Sequence, residues 1–207
     1  MSTVKIIDHP LVQHKLTLLR DKNTQHFVFR EVVNELSYLM VYEATRNMHT
    51  SERDVETPLA KTRSHVIDDE IVIVPILRAG LGMLEGVHNL IPKARIGFAG
   101  MYRNEEPLEP VEYYLKVPDL GNAKVLVLDP MLATGGSLAA TIKRLKERGA
   151  VYINIISILA SPEGVEKIQL EHPDVDIFCA AIDDGLDDKG YIIPGIGDCG
   201  DRIYGTK

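Results

Sequence analysis

Five short apolar segments rich in β-branched residues constrain this chain most: IVIVPI (71–76), ARIGFAG (94–100), KVLVLD (124–129), VYINIISILA (151–160) and VDIFCAAI (175–182). Each has the length and composition of a strand buried on both faces. Helical patterns lie between them. Leu138, Ile142 and Leu145 fall on one face of Ser137 to Arg148, and Pro162 to Glu171 follows Ser161, a residue type that caps helices. Strands alternating with helices predict an α/β fold with a mostly parallel central sheet flanked by helices.

Outside that core, Val28, Val32, Leu36, Leu39 and Met40 recur at helical spacing, so residues 1–50 are expected to form a helical N-terminal extension whose apolar stripe is core or subunit contact. Met101 to Pro118 carries charges, three prolines and weak periodicity, and it reads as a mobile loop leaving the sheet. The 207 residues are expected to make a single domain, long enough to bury about 70% of the unfolded surface.

Composition narrows the partners. Net charge is −7, from 23 basic and 30 acidic residues without a Lys/Arg block, which argues against nucleic acid. No apolar run approaches the roughly 20 residues needed to span a bilayer, so no membrane association is expected. Cys179 and Cys199 form no CxxC pair, and the opening MSTVKIIDHP lacks a signal-peptide core; reduced thiols and a cytoplasmic location are expected.

Gly195, Gly197 and Gly200 in YIIPGIGDCGDRIYGTK spell G-x-G-x-x-G. A dinucleotide site needs a strand before such glycines, a helix after them and an acidic residue about 20 positions on. Only seven residues follow Gly200, so the fingerprint fails. These glycines either shape a C-terminal turn or bring backbone close to a flat ligand.

The phosphate-site pattern lies elsewhere, in KVLVLDPMLATGGSLAATIKRLKERG, where a strand runs through a small-residue loop into a helix. Backbone N–H groups of Ala133 to Ser137, the hydroxyls of Thr134 and Ser137, and the helix N-terminus all suit one anion. No Lys follows the glycines, so the P-loop pattern is absent and the loop suits a phosphate monoester. The plainer alternative is a strand-to-helix turn with Ser137 as N-cap. Asp129, at the C-terminal end of a buried strand, favours the ligand reading because a carboxylate there accepts bonds from ribose hydroxyls.

Arg78, after IVIVPI, and Arg103, in MYRNEEP, extend this set. Either arginine alone is more often a surface ion pair; with the loop they suit a multiply phosphorylated sugar. The seven histidines show no HxxxH or HExxH spacing, and DDGLDD (183–188) lacks EF-hand spacing and reads as a solvated loop with a smaller chance of positioning the tail.

PILRAGLGM, GMYRNEE, DPMLATGGS and YIIPGIGDCGDRIYGT together resemble the uracil phosphoribosyltransferases, members of the type I phosphoribosyltransferase fold. The resemblance implies that uracil and 5-phospho-α-D-ribose 1-diphosphate become UMP and diphosphate with Mg²⁺, in pyrimidine salvage. It places Asp129, Pro130, Met131, Leu132, Ala133, Thr134, Gly135, Gly136 and Ser137 on the ribose 5-phosphate and ribose, and Arg78 and Arg103 on the diphosphate. Ile192 and Gly197 to Cys199 fall on uracil, within a base-binding tail over 183–207, and Asp198 also touches the phosphoribosyl group. Arg78, Arg103 and Asp198 are the expected catalytic residues, and Mg²⁺ is expected to arrive on the diphosphate. Pro130 replaces the second acid of many type I motifs, as it does in the uracil enzymes. Cys199 stands where a small residue such as Ala is expected.

The family suggests a homo-oligomer, a dimer or larger, and includes members activated by GTP; no residue pattern here decides GTP binding. Two alternatives stay open from sequence. One is a regulator that keeps the fold and only senses a nucleotide or 5-phosphoribosyl 1-diphosphate. The other is the same transfer to another base.

Overall fold

The computed structural model describes residues 2–103 and 110–206; the side chains of Arg103 and Pro110 lie outside the described residues. In chain order the elements are β1 (Val4–Ile6), α1 (Pro10–Arg20), α2 (His26–Ala44), β2 (Thr50–Glu56), β3 (Lys61–Ile67), β4 (Ile71–Leu77) and α3 (Leu81–Leu90). They continue with β5 (Arg95–Ile96), β6 (Phe98–Arg103), β7 (Pro110–Lys116), β8 (Lys124–Leu128), β9 (Met131–Leu132), α4 (Gly136–Glu147) and β10 (Tyr152–Ala160). The last are α5 (Pro162–Glu171), β11 (Asp176–Ile182), β12 (Gly185–Leu186), β13 (Ile192–Ile193) and α6 (Cys199–Tyr204).

The main sheet runs β1-β11-β10-β8-β4-β6-β7, parallel except for the β6–β7 pair. Its strands alternate between two cores along most of their length. Ile71, Ile73, Leu126, Leu128, Ile156 and Ile158 face one layer; Val72, Val74, Val125, Val127, Ile153 and Ile155 face the other. Helices α1, α2, α3 and α6 cover the first layer, and α4 and α5 cover the second. Two-sided burial explains why these strands are uninterrupted apolar runs in the sequence.

This topology creates a crevice. β4 and β8 are hydrogen-bonded neighbours, yet α3 leaves β4 toward one face and α4 leaves β8 toward the other. Helices diverging from adjacent parallel strands open a gap beyond the strands' C-terminal ends, which is where open α/β sheets hold ligands.

Several expectations change. Residues 1–50 hold two helices but begin with strand β1, which extends the sheet edge beside β11 through Val4, Lys5 and Ile6. The helical stripe is core at Val32, Leu36 and Met40, while Val28 is exposed. Met101 to Pro118 contributes the end of β6 and all of β7, an antiparallel pair; its tip, 104–109, lies outside the described residues. The hairpin β2–β3 pairs seven residues in register and is exposed along almost all of its length.

Candidate active site

The β4 edge of the crevice is a sharp turn. Gly80 donates its N–H to the carbonyl of Ile76 at 2.9 Å, and a Cβ on Gly80 would stand 2.3 Å from the carbonyl oxygen of Leu128 on β8. Only glycine lets this turn lie against the neighbouring strand's end. Arg78, reached through a cis peptide from Leu77, projects outward with its side chain 63% exposed. Its guanidinium lies 3.5 Å from the carboxylate of Asp201, and its carbonyl accepts a 3.1 Å hydrogen bond from the hydroxyl of Tyr204.

Asp129 directly follows β8 and is half-buried. Its Oδ1 accepts the N–H of Met131 at 3.3 Å, and burial pushes its carboxyl up to about 7. Desolvation disfavours the ionised form, so this carboxylate is set to gain from any hydroxyl donor brought to it.

The loop after Asp129 rests on α5. The carbonyl of Pro130 accepts from Leu159 N–H at 3.0 Å, that of Leu132 from Ser161 N–H at 2.9 Å, and that of Ala133 from Ser161 Oγ at 2.6 Å. A Cβ on Gly164 would come within 2.3 Å of the Ala133 oxygen, so the loop sits directly on the first turn of α5. Pro130 and Leu132 are buried, which makes the first part of the motif a stem.

Gly135, at φ +75°, is the N-cap of α4, and no side chain caps that helix. The plainer alternative, with Ser137 as N-cap, is therefore incorrect: Ser137 stands inside the first turn. A left-handed glycine reverses the chain one step earlier than a serine cap would, and leaves the leading N–H groups of α4 to a ligand or water. The first backbone bond of the helix runs from Ala139 N–H to Gly135 at 2.8 Å.

The tail reaches the same place from the other layer. Asp198 caps α6 by accepting the N–H of Asp201 at 2.9 Å. This helix, of six residues, follows Gly195 and Gly197 and contains Gly200, where the sequence reading left no room for a helix, although no further strand follows it among the described residues. Cys199 is buried, and its thiol is pushed well above its ordinary value by burial and then by the nearby carboxylates of Asp129 and Asp198. Ile192 sends its side chain into the core, so only its backbone is left for a ligand.

A cleft of about 340 Å³ is lined by Arg78 with its neighbours Leu77 and Ala79, by Asp198 and Gly200, and by Met101, Tyr102 and Tyr113, and by no residue of Asp129 to Ser137. The structure thus brings Arg78 and Asp198 onto one cleft, while Asp129 and its loop lie at the end of the neighbouring strand β8. Arg103 is placed only by its backbone at the end of β6, opposite Pro110. A roomier hollow of about 560 Å³ lies at the N-terminal ends of β4 and β5 and contains none of these residues.

Sequence reasoning missed several groups. Tyr102 and Tyr113 line the cleft, and Tyr204 and Asp201 brace Arg78. DDGLDD is not simply a solvated loop: Asp183 is buried, pairs with Arg20 and accepts the N–H of Gly195 at 2.9 Å. The lesser alternative, that this run positions the tail, is the one the geometry favours.

Residues 6–206 match the family model described as uracil phosphoribosyltransferase. The chain belongs to that family. It is 56% identical over 209 residues to the uracil phosphoribosyltransferase of Alkaliphilus metalliredigens and 54% identical to that of Natranaerobius thermophilus, covering all of both chains in each case. Among solved structures it is similar to the AQ2163 protein of Aquifex aeolicus, with TM-score 0.94 and 40% identity over 98% of each chain. The hypoxanthine phosphoribosyltransferase of Staphylococcus aureus, at TM-score 0.50 and 14% identity over 77% of this chain and 76% of its own, shares the fold alone.

Proposed function

We propose that the chain transfers the phosphoribosyl group of 5-phospho-α-D-ribose 1-diphosphate to uracil, giving UMP and diphosphate, with the crevice between β4 and β8 as the site. The observation that carries this assignment is the convergence of Arg78 and Asp198, 120 positions apart in the sequence, on one cleft.

In this reading the loop from Asp129 to Ser137 holds the phosphoribosyl group. The uncapped N–H groups of α4 take the 5-phosphate, with the positive end of the helix dipole behind them. Asp129 accepts the ribose hydroxyls, an exchange that replaces its poor solvation with hydrogen bonds. Arg78 and Arg103 bind the diphosphate, whose charge rises as the bond to ribose C1 breaks. Stabilising charge where it develops lowers the barrier. The backbone of Ile192 and of Gly197 to Cys199 meets the edge of uracil, and Asp198 orients the base beside C1. Cytosine would present an amine where uracil O4 accepts, and a mismatch of that kind costs about 10⁴-fold or more.

Mg²⁺ fits as an ion carried by the substrate's own oxygens. Among the described residues no three His, Cys, Asp or Glu side chains converge on one point, and Mg²⁺ commonly binds through one or two carboxylates plus substrate phosphates. There it would supply charge neutralisation on the leaving group.

The same reading takes the protein as a homo-oligomer working in the cytoplasm, with GTP as a candidate activator. Exposed Phe27, Val28, Tyr38 and Tyr42 on α2 support self-association. No helix among the described residues is long and apolar enough to cross a membrane.

The assignment of Arg78 is tested by Arg78→Ala. Turnover should fall by about 10²- to 10³-fold, the usual effect of deleting one preorganised donor. Near-normal turnover would remove Arg78 from the mechanism.

A further inference from the structure

The base-binding segment is held by a clasp that uses no residue assigned to a substrate. Arg20, the last residue of α1, reaches across to the tail: Nη2 donates to Asp183 Oδ1 at 2.6 Å, and Nη1 donates to Asp183 Oδ2 at 2.9 Å and to the carbonyl of Gly195 at 3.0 Å. Asp183 Oδ2 also accepts the N–H of Gly195 at 2.9 Å, which closes the loop between β11 and the tail. Both polar groups of the Gly195 backbone are therefore engaged.

The grip is returned from the other side. Arg202, on α6, donates to the carbonyl of Ile196 at 2.9 Å, to that of Asp21 at 2.6 Å and to that of Leu19, and its guanidinium lies 4.2 Å over the ring of Phe29. Each arginine thus bonds backbone belonging to the other's segment. Consecutive carbonyls, those of Gly195 and Ile196, are thus each engaged by one arginine of this pair.

The burial and geometry indicate that the clasp is specific. The Asp183 side chain is only 4% exposed, and its Arg20 partner meets it with two parallel N–H···O bonds, the arrangement that fixes direction as well as distance. A Cβ on Gly195, at φ +60°, would stand 2.1 Å from the carbonyl oxygen of Ile192, so the clasped turn accepts only glycine. Gly197, two residues on and also in the left-handed region at φ +72°, is exposed, and only the Arg202 Cδ, at 3.7 Å, would meet a Cβ there. Gly195 and Ile196 are buried, and the chain is exposed at Gly197 and Asp198 immediately after them.

We infer that Arg20 and Asp183 are positioning residues for uracil selection: from outside the cleft they fix where the Gly197 to Cys199 backbone presents its donors and acceptors. The inference rests on the assignment of that backbone to uracil. Displacing a binding backbone by about 1 Å can cost up to about 10²-fold, so the clasp governs base affinity without touching base.

The experiment compares wild type with Arg20→Lys, Asp183→Asn and the control Gly197→Ala. It measures the KM for uracil at saturating 5-phosphoribosyl 1-diphosphate, the Kd for 5-phosphoribosyl 1-diphosphate by calorimetry with Mg²⁺, and thermal unfolding. Lys keeps the charge but loses the two-pronged geometry, and Asn keeps the shape. The expected result is a rise of about tenfold or more in uracil KM for both clasp variants, with the Kd within about twofold of wild type. The double variant should be no worse than the poorer single, since either change alone opens the clasp.

A lowered melting temperature with unchanged uracil KM, or equal changes in uracil KM and the Kd, would overturn the inference and leave the pair a structural tie. Gly197→Ala keeps the two levels apart. If it raises uracil KM while the clasp variants do not, the clasp fails alone. If Gly197→Ala also leaves uracil KM unchanged, the assignment of the tail to the base fails.

Discussion

The hydroxyl of Tyr204 donates a 3.1 Å hydrogen bond to the backbone carbonyl of Arg78. The final helix of the chain therefore holds the turn that presents the arginine expected to meet the diphosphate. Asp201, one turn earlier on α6, faces the same guanidinium at 3.5 Å. Helix α6 therefore touches the turn that carries Arg78 through both Tyr204 and Asp201.

Tyr204→Phe removes this bond and little else. One neutral hydrogen bond contributes about 0.5–1.5 kcal/mol, so kcat/KM should fall by between about twofold and tenfold. Steady-state kinetics checks this. A loss like that of Arg78→Ala would mean that the tyrosine itself acts on substrate.

Asp129 makes stability depend on pH. Burial raises its carboxyl from 3.8 to about 7. Between those values the folded chain keeps a proton that the unfolded chain has released, so this contribution to stability falls as pH rises from about 4 through about 7 and is flat above. Asp129→Asn carries no such penalty. Without substrate the variant should melt above wild type at about pH 8, by up to about 2 to 4 kcal/mol in stability, and the gap should close toward about pH 4. The variant should also bind 5-phosphoribosyl 1-diphosphate more weakly, which separates site function from stability.

How much of this was legible in the sequence follows from where each feature stores its information. The strands over 71–77, 124–128, 152–160 and 176–182 were visible because two-sided burial writes them as apolar runs, and α5 was visible because Ser161 and Pro162 mark its start. The hairpin β2–β3 left no signal, since an arm exposed on both faces needs no alternation. β1 is three residues long and relies on β11 for its hydrogen bonds. Asp129 and Arg78 could be read because each follows a recognisable strand. Arg20 could not: its partner lies 163 positions away, and one arginine at a helix end resembles any other.

Gly135→Ala should disturb the phosphate loop selectively. The residue sits at φ +75°, and a Cβ would lie 3.1 Å from the Gly164 carbonyl oxygen and 3.2 Å from the Lys167 Cδ. A left-handed alanine costs about 1–2 kcal/mol. Chemical denaturation should show that loss, and calorimetry should show weaker 5-phosphoribosyl 1-diphosphate binding.

The cysteines should be silent in the native protein. Cys179 and Cys199 are both free and buried; burial pushes Cys179 up to about 12 and Cys199 higher still. The thiolate is the reactive form, so a disulfide reagent should modify both thiols quickly in denaturant and neither at a comparable rate when native. Rapid native labelling of Cys199 would mean that the tail opens away from Asp129.

The central claim is that the crevice between β4 and β8 joins uracil to a phosphoribosyl group. The direct measurement is to incubate the purified protein with Mg²⁺, 5-phosphoribosyl 1-diphosphate and, in separate reactions, uracil, cytosine, hypoxanthine or orotate, with and without GTP, and to separate the products by chromatography. UMP from the uracil reaction alone is the predicted result. Nucleotide from another base would contradict the base assignment of the tail, and no nucleotide from any reaction, with 5-phosphoribosyl 1-diphosphate still bound, would contradict catalysis itself.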